Sequence, residues 1–201
     1  MLHYLLMGGG LGFAAAVQPG PFQAFLLSRV AATGWRRTLP AAVAPWISDG
    51  PIAVIVLLVL RQVGSGFETF LRGAGGVVLL YFAVRSFLDW RRAGKGPDRE
   101  PPSAPRTLLH AVVVNFVNPG PWVGWSFILG PLALGAWAEA PGRAVALVAS
   151  FYGVMALGLV AFISLLGTTA FLGPRGRRAL LLAAAIVLTG LGLYWLAHLF
   201  I

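Results

Sequence analysis

Cysteine is absent from the 201 residues, and charge is scarce. The first absence excludes disulfides, thiol redox chemistry and thiolate metal sites. The second says more. Charged residues make up 10% of the chain against 58% hydrophobic, and the mean hydropathy is +0.83. A soluble domain of this length would have too little polar surface to cover itself, so an all-α integral membrane protein in contact with lipid is expected. Negative charge is rarer still, six acidic residues against 15 basic ones. The basic surplus forms no stripe on a polar domain, which argues against nucleic acid; it gathers at the ends of apolar runs, where membrane topology is written. His3, His110 and His198 lie far apart with no metal-ligand spacing, so no metal site is expected. The glycine runs GGGLG and GAGG lack a following Lys-Ser/Thr and read as close helix packing rather than nucleotide loops. No nucleophile–base constellation is present, so neither an enzyme nor a cofactor is expected.

Apolar runs define six predicted spans, approximately 2–31, 39–62, 67–90, 107–135, 144–168 and 178–200. The start, MLHYLLMGGGLGFAAAV, has no basic leader region and reads as a first span. Residues 91–106, RRAGKGPDREPPSAPR, hold four prolines and form the one evident linker. It divides the chain into two three-span halves, 1–90 and 107–201. Connections one, three and five carry 12 of the 15 basic residues, including Arg29, Arg36, Arg37, Arg85 and Arg106. That bias places these connections, with the linker, in the cytoplasm and both termini outside. Three spans per half is an odd number, so the second half enters the membrane inverted, a recurrent plan in secondary transporters.

The same break occurs in each half: VQPGPFQAF at 17–25 and VNPGPWVGW at 117–125. Pro19 and Pro119 remove a backbone donor and cannot continue a regular helix. Gly20 and Gly120 are expected to supply unusual backbone angles or close approach. Pro21 and Pro121 are placed to open the following half-helix. Such breaks leave free carbonyls on one side and free N–H groups on the other, and in hydrocarbon these must be paired or line a wet cavity. The alternative is a kink that serves packing alone, which two copies in matching positions disfavour.

Five acidic residues lie in or beside connections; Asp49 stands alone within AVAPWISDGPIAVIV, near the middle of the second span. A carboxylate there costs several kcal/mol unless paired or protonated, which makes Asp49 the candidate proton-coupling group. The alternative is a cap for backbone donors beside Pro51. Gln18 and Asn118 abut the breaks and are candidate substrate-binding residues together with Pro19, Gly20, Pro21, Pro119, Gly120 and Pro121. Asn115 is a further candidate, though an amide at this depth also serves as an interhelical tie. Tyr81 either lends a hydroxyl to a cavity or sits in the interfacial aromatic belt.

These residues together resemble the LysE/RhtB family of amino-acid exporters: Pro19-Gly20-Pro21 in the first span, Asp49-Gly50 in the second, a glycine-rich third span with Tyr81 and Arg85, and Asn115-Phe-Val-Asn118-Pro119 in the fourth. The resemblance spans nearly the whole chain and implies a six-span inner-membrane exporter of amino acids or related metabolites, working by proton exchange and compatible with a homodimer. One departure is Gly120-Pro121, where family members commonly carry a lysine or another larger residue; it makes the second break a closer mirror of the first. The competing readings are a channel or exporter for another small solute or a metal ion, and an intramembrane enzyme.

Overall fold

The computed structural model describes residues 1–59, 65–92, 103–169 and 173–197. The described residues form helices and short connections, with no strand among them. Helix α1 (Leu2–Val17) and α2 (Pro21–Thr33) are the two pieces of the first predicted span. The short α3 (Trp35–Thr38) runs through a 3-10 turn (Leu39–Val43) into α4 (Ala44–Val59). Helix α5 covers Ser65–Arg92. The fourth predicted span is divided into α6 (Ala104–Val117), α7 (Pro119–Gly124), a π-helical turn (Trp125–Leu129) and α8 (Gly130–Glu139). Helices α9 (Pro141–Thr169) and α10 (Gly173–Ala197) complete the order. Most of the predicted linker, residues 93–102, lies outside the described residues, as do Arg61 and His198.

Helices therefore lie over all six predicted segments. Among the described residues, three stretches are long and apolar enough to cross a membrane as they stand: Trp35–Leu58, Pro141–Thr168 and Arg178–Ala197. The second and fifth helical segments begin earlier than the hydropathy predicts, because Gly34 and Pro141 start them. Gly34, at φ +84°, is the one residue of positive φ among those described, and its N–H caps the Val30 carbonyl at 2.9 Å. Pro141 opens α9, where a missing donor costs nothing. Large apolar side chains point outward. Leu58, Phe127 and Leu157 are 80%, 77% and 70% exposed, a pattern that water would penalise and lipid would not.

Helix α2 is the centre of the bundle. Phe22, Ala24, Phe25, Leu26, Ser28, Arg29, Val30 and Ala31 are all buried, so both its apolar and its polar faces are covered. It packs against α5, α6, α9 and α10, while α1 lies along α9 and α5 along α10. The approach of α1 to α9 depends on missing side chains. A Cβ on Gly8 or Gly12 would overlap the backbone carbonyl of Leu147 or Phe151, so close packing of the GGGLG run is what the fold uses. Gly10, on the same helix, faces open space.

Gly12→Ala should therefore force α1 away from α9 and cost about 1–3 kcal/mol, as overpacking does. Gly10→Ala, which meets nothing, should be neutral or slightly stabilising. Thermal unfolding of the purified protein in detergent checks the contrast; equal effects of the two would contradict it.

Candidate functional site

The two breaks differ in construction. At the first, Gln18, Pro19 and Gly20 leave the helix and Pro21 opens α2, as expected. At the second, only Asn118 leaves it, and Pro119 rather than Pro121 opens the next helix. The two breaks are thus not the mirror images that Gly120-Pro121 led one to expect. Nor do the glycines supply unusual angles. Gly20 is extended (φ −173°, ψ −175°), a conformation open to any residue, and a Cβ on Gly20 or Gly120 would make ordinary contacts with Gln23 or Asn118. What the glycines contribute is room, because both line one cavity.

Each proline strands a carbonyl, and a side chain answers it. In an unbroken helix the N–H of residue 19 would serve the Ala15 carbonyl, but proline has none. The Gln23 amide, one turn into α2, reaches back instead and donates to the Ala15 and Ala16 carbonyls, each at 3.2 Å. At the second break the Trp122 indole N–H donates to the Phe116 carbonyl at 2.7 Å. The Asn118 N–H turns to the Asn115 carbonyl at 3.2 Å, and the Asn118 side chain accepts from the Gly120 N–H at 3.1 Å. So the second break has spent one free N–H on its own cap. Helix α2 begins with no side chain capping it, and its first residues, Pro21, Phe22 and Gln23, line the cavity.

That cavity, of about 560 Å³, is lined from both halves of the chain, by Gln18, Pro19, Gly20, Pro21 and Gln23 and by Asn115, Asn118, Pro119, Gly120 and Pro121. Its size is that of small-molecule sites. The remaining wall is largely apolar, with Leu11, Ile128, Leu129, Phe151 and Met155 among its residues. Among the described residues Asp49 is the one charged side chain in the lining.

Asp49 is 4% exposed and sits inside α4, with Pro51 also inside that helix. It does not cap a helix end. Its carboxylate is held by side chains from two other segments: Asn115 Nδ2 donates to Oδ1 at 2.7 Å, and the Tyr152 hydroxyl donates to Oδ2 at 3.0 Å. The same Asn115 amide lies 2.7 Å from Ser48 Oγ, and Ser48 in turn donates to the Ala44 carbonyl at 3.0 Å. Trp125, the first residue of the π-helical turn, donates its indole N–H to the Tyr152 oxygen at 3.1 Å. The turn widens just ahead of Pro131, which cannot donate, and so aims Trp125 inward. Trp46 donates to the Tyr152 backbone carbonyl at 3.3 Å and ties α4 to α9. Bonds to a charged acceptor contribute about 1.5–3 kcal/mol each, enough for two or three of them to offset much of the burial of one carboxylate.

A family model described as LysE type translocator matches residues 13–198, which include both breaks, Asp49 and Tyr152. The chain belongs to the LysE type translocator family. It is a multi-pass membrane protein of a transporter family, with a small solute as its substrate and lipid as its surroundings. No curated protein and no solved structure matches it significantly.

Of the residues singled out in the sequence, Gln18, Pro19, Gly20, Pro21, Asp49, Asn115, Asn118, Pro119, Gly120 and Pro121 meet at the translocator's cavity. Tyr81 does not line it. On α5 that ring is 54% exposed and stands edge-on to Phe82. Sequence reasoning missed Gln23, Ser48, Trp125 and Tyr152. Gln23 had a signal, an amide within the second half-helix; so did Tyr152, a hydroxyl in mid-span rather than at an interface. Among the described residues no three His, Asp or Glu side chains gather as metal ligands.

Asn115→Ala and Tyr152→Phe each remove one donor from a buried carboxylate and should each cost about 1–3 kcal/mol of stability. Because both act on one group, the double variant should depart from additivity by at least about 0.5 kcal/mol. Chemical or thermal unfolding of the four proteins measures this, and strict additivity would mean that the two bonds do not share Asp49.

Proposed function

We propose that this translocator is an inner-membrane exporter of amino acids that exchanges solute for protons at Asp49. The single observation that carries this reading is the pairing, across one cavity, of an isolated carboxylate with the uncapped start of α2. A zwitterionic amino acid has complementary ends. Its carboxylate fits the N–H groups after Gly20, where the positive end of a half-helix favours an anion. The second break fits that role less well, since Asn118 already occupies the Gly120 N–H. The ammonium group fits Asp49. With no cation among the described lining residues and a wall of Leu, Ile, Phe and Met, an uncharged and preferably apolar side chain suits the remaining space.

Coupling follows from the bonding of Asp49. As a carboxylate it accepts from Asn115 and Tyr152. A proton on Oδ2 needs an acceptor, so the Tyr152 hydroxyl has to turn away and the bond reverses. The ammonium group of the solute and the proton thus compete for one carboxylate, and occupancy by one or the other in alternation is antiport. Six crossings arranged as two inverted halves, 1–90 and 107–201 around a cytoplasmic linker, suit this mechanism. The reading is supported by the partnering of elements, α5 with α10 and α1 with α9 in parallel with α6 against α4. Both termini lie outside, from the distribution of arginines. A homodimer is compatible with the exposed apolar faces.

Asp49→Asn keeps the shape and removes the titrating group. In proteoliposomes it should lose the acceleration of amino-acid efflux that an imposed pH gradient gives the parent, while downhill exchange of the same solute survives in part. An undiminished response to the gradient would make Asp49 a structural group only. For topology, a cysteine introduced at Ser103 should be labelled from the cytoplasmic side alone, and labelling by an impermeant reagent from outside would overturn the orientation.

A further inference from the structure

A second polar cluster lies away from the cavity, where α2, α5 and α6 pack on one another. Arg29, on α2, is 3% exposed. Among the described residues no carboxylate lies within ion-pair distance of its guanidinium, which lies over the rings of Phe25 and Phe82, 5.6 Å and 5.5 Å from their centroids. Its Nε–H is buried without a hydrogen-bond partner. Two further buried atoms share that condition, Ser86 Oγ on α5 and His110 Nδ1 on α6. Arg29 and His110 both lie against Phe82, whose ring is 5.5 Å from the His110 ring, and Ser86, 1% exposed, is one helical turn beyond Phe82 on α5. A buried cation costs several kcal/mol when unpaired, and three orphaned polar groups do not meet by default.

We propose that Arg29, Ser86 and His110 form a second site that binds a carboxylate. A planar guanidinium edge and a hydroxyl suit the oxygens of that group, and the imidazole supplies a third donor in the tautomer protonated at Nδ1. The surroundings of the cluster are basic. Arg106 lies exposed one turn before His110 on α6, and the charges of Arg106, Arg85 and Arg29 all bear on His110. Asp89 is the one carboxylate among the described residues whose charge bears on Arg29, and it does so without forming an ion pair with it. Nine residues of helix separate Gly20 from Arg29, about 14 Å along α2 and toward the cytoplasm on the topology above. The site therefore stands between the cytoplasm and the cavity. That its anion is the carboxylate of the exported solute, captured before it reaches α2's start, rests on the amino-acid reading; the site itself does not.

The test uses purified full-length protein in detergent, with acetate and inorganic phosphate as probes. Ionic strength is held constant with the bulky HEPES anion. Acetate should raise the unfolding temperature of the parent saturably. Arg29→Gln should abolish that response, and Ser86→Ala should weaken apparent acetate binding about tenfold, as loss of a bond to a charged group does. Should Arg29→Gln fail to fold, Ser86→Ala and His110→Phe carry the same comparison. No response in the parent, or a full response in Arg29→Gln, would overturn the site. Tighter binding of phosphate than of acetate would overturn the carboxylate assignment in favour of a phosphate group. No gradient or amino acid enters the measurement, so failure of the export reading would leave its outcome untouched.

Discussion

Hydrocarbon offers no water to a stranded polar group, and that constraint organises this protein. Two prolines open the backbone at Ala15 and Asn115–Phe116, and every carbonyl they strand must be met from within the bundle. Gln23 and Trp122 do so by reaching back across the breaks they follow. Asp49 is subject to the same constraint at higher cost, and Asn115 and Tyr152 are the response. One pair of breaks and one carboxylate thus fix the places of side chains on α2, α4, α6 and α9.

The repair is unequal, and the inequality has functional weight. At the second break the Asn118 side chain consumes the Gly120 N–H, while at the first nothing caps α2. Matching tetrapeptides have become a closed end and an open one. On the reading proposed above, that asymmetry would give a zwitterionic solute one orientation, with carboxylate toward α2 and ammonium toward Asp49. The π-helical turn at Trp125–Leu129 adds to this asymmetry, since the described residues of the first half contain no counterpart and the Trp125 indole donates to Tyr152.

Arginine 29 shows how position in sequence and position in space diverge. As a residue near the end of an apolar run it counts toward topology, as part of the first connection. In space α2 is enclosed by four other helices, and the guanidinium is covered by Phe25 and Phe82. Hydropathy reports roughly where an apolar segment runs. It carries nothing about which helix stands in the middle.

The sequence by itself determined the membrane class, the helical segments, the two breaks and the isolation of Asp49, together with the family. These follow from local chemistry: apolar runs, proline's missing N–H, and the rarity of charge in a span. Glycine's role at the breaks was legible only in part, since Gly20 and Gly120 matter for the space they leave and not for their angles. Only the tertiary structure decided that Gln23 patches α1, that Tyr152 reaches Asp49 across 103 residues of sequence, and that Tyr81 stays outside the cavity. These are contacts between helices distant in sequence or on opposite sides of a break. No periodicity along a single helix encodes a partner's identity, because the face a side chain presents acquires meaning only when another helix is packed against it.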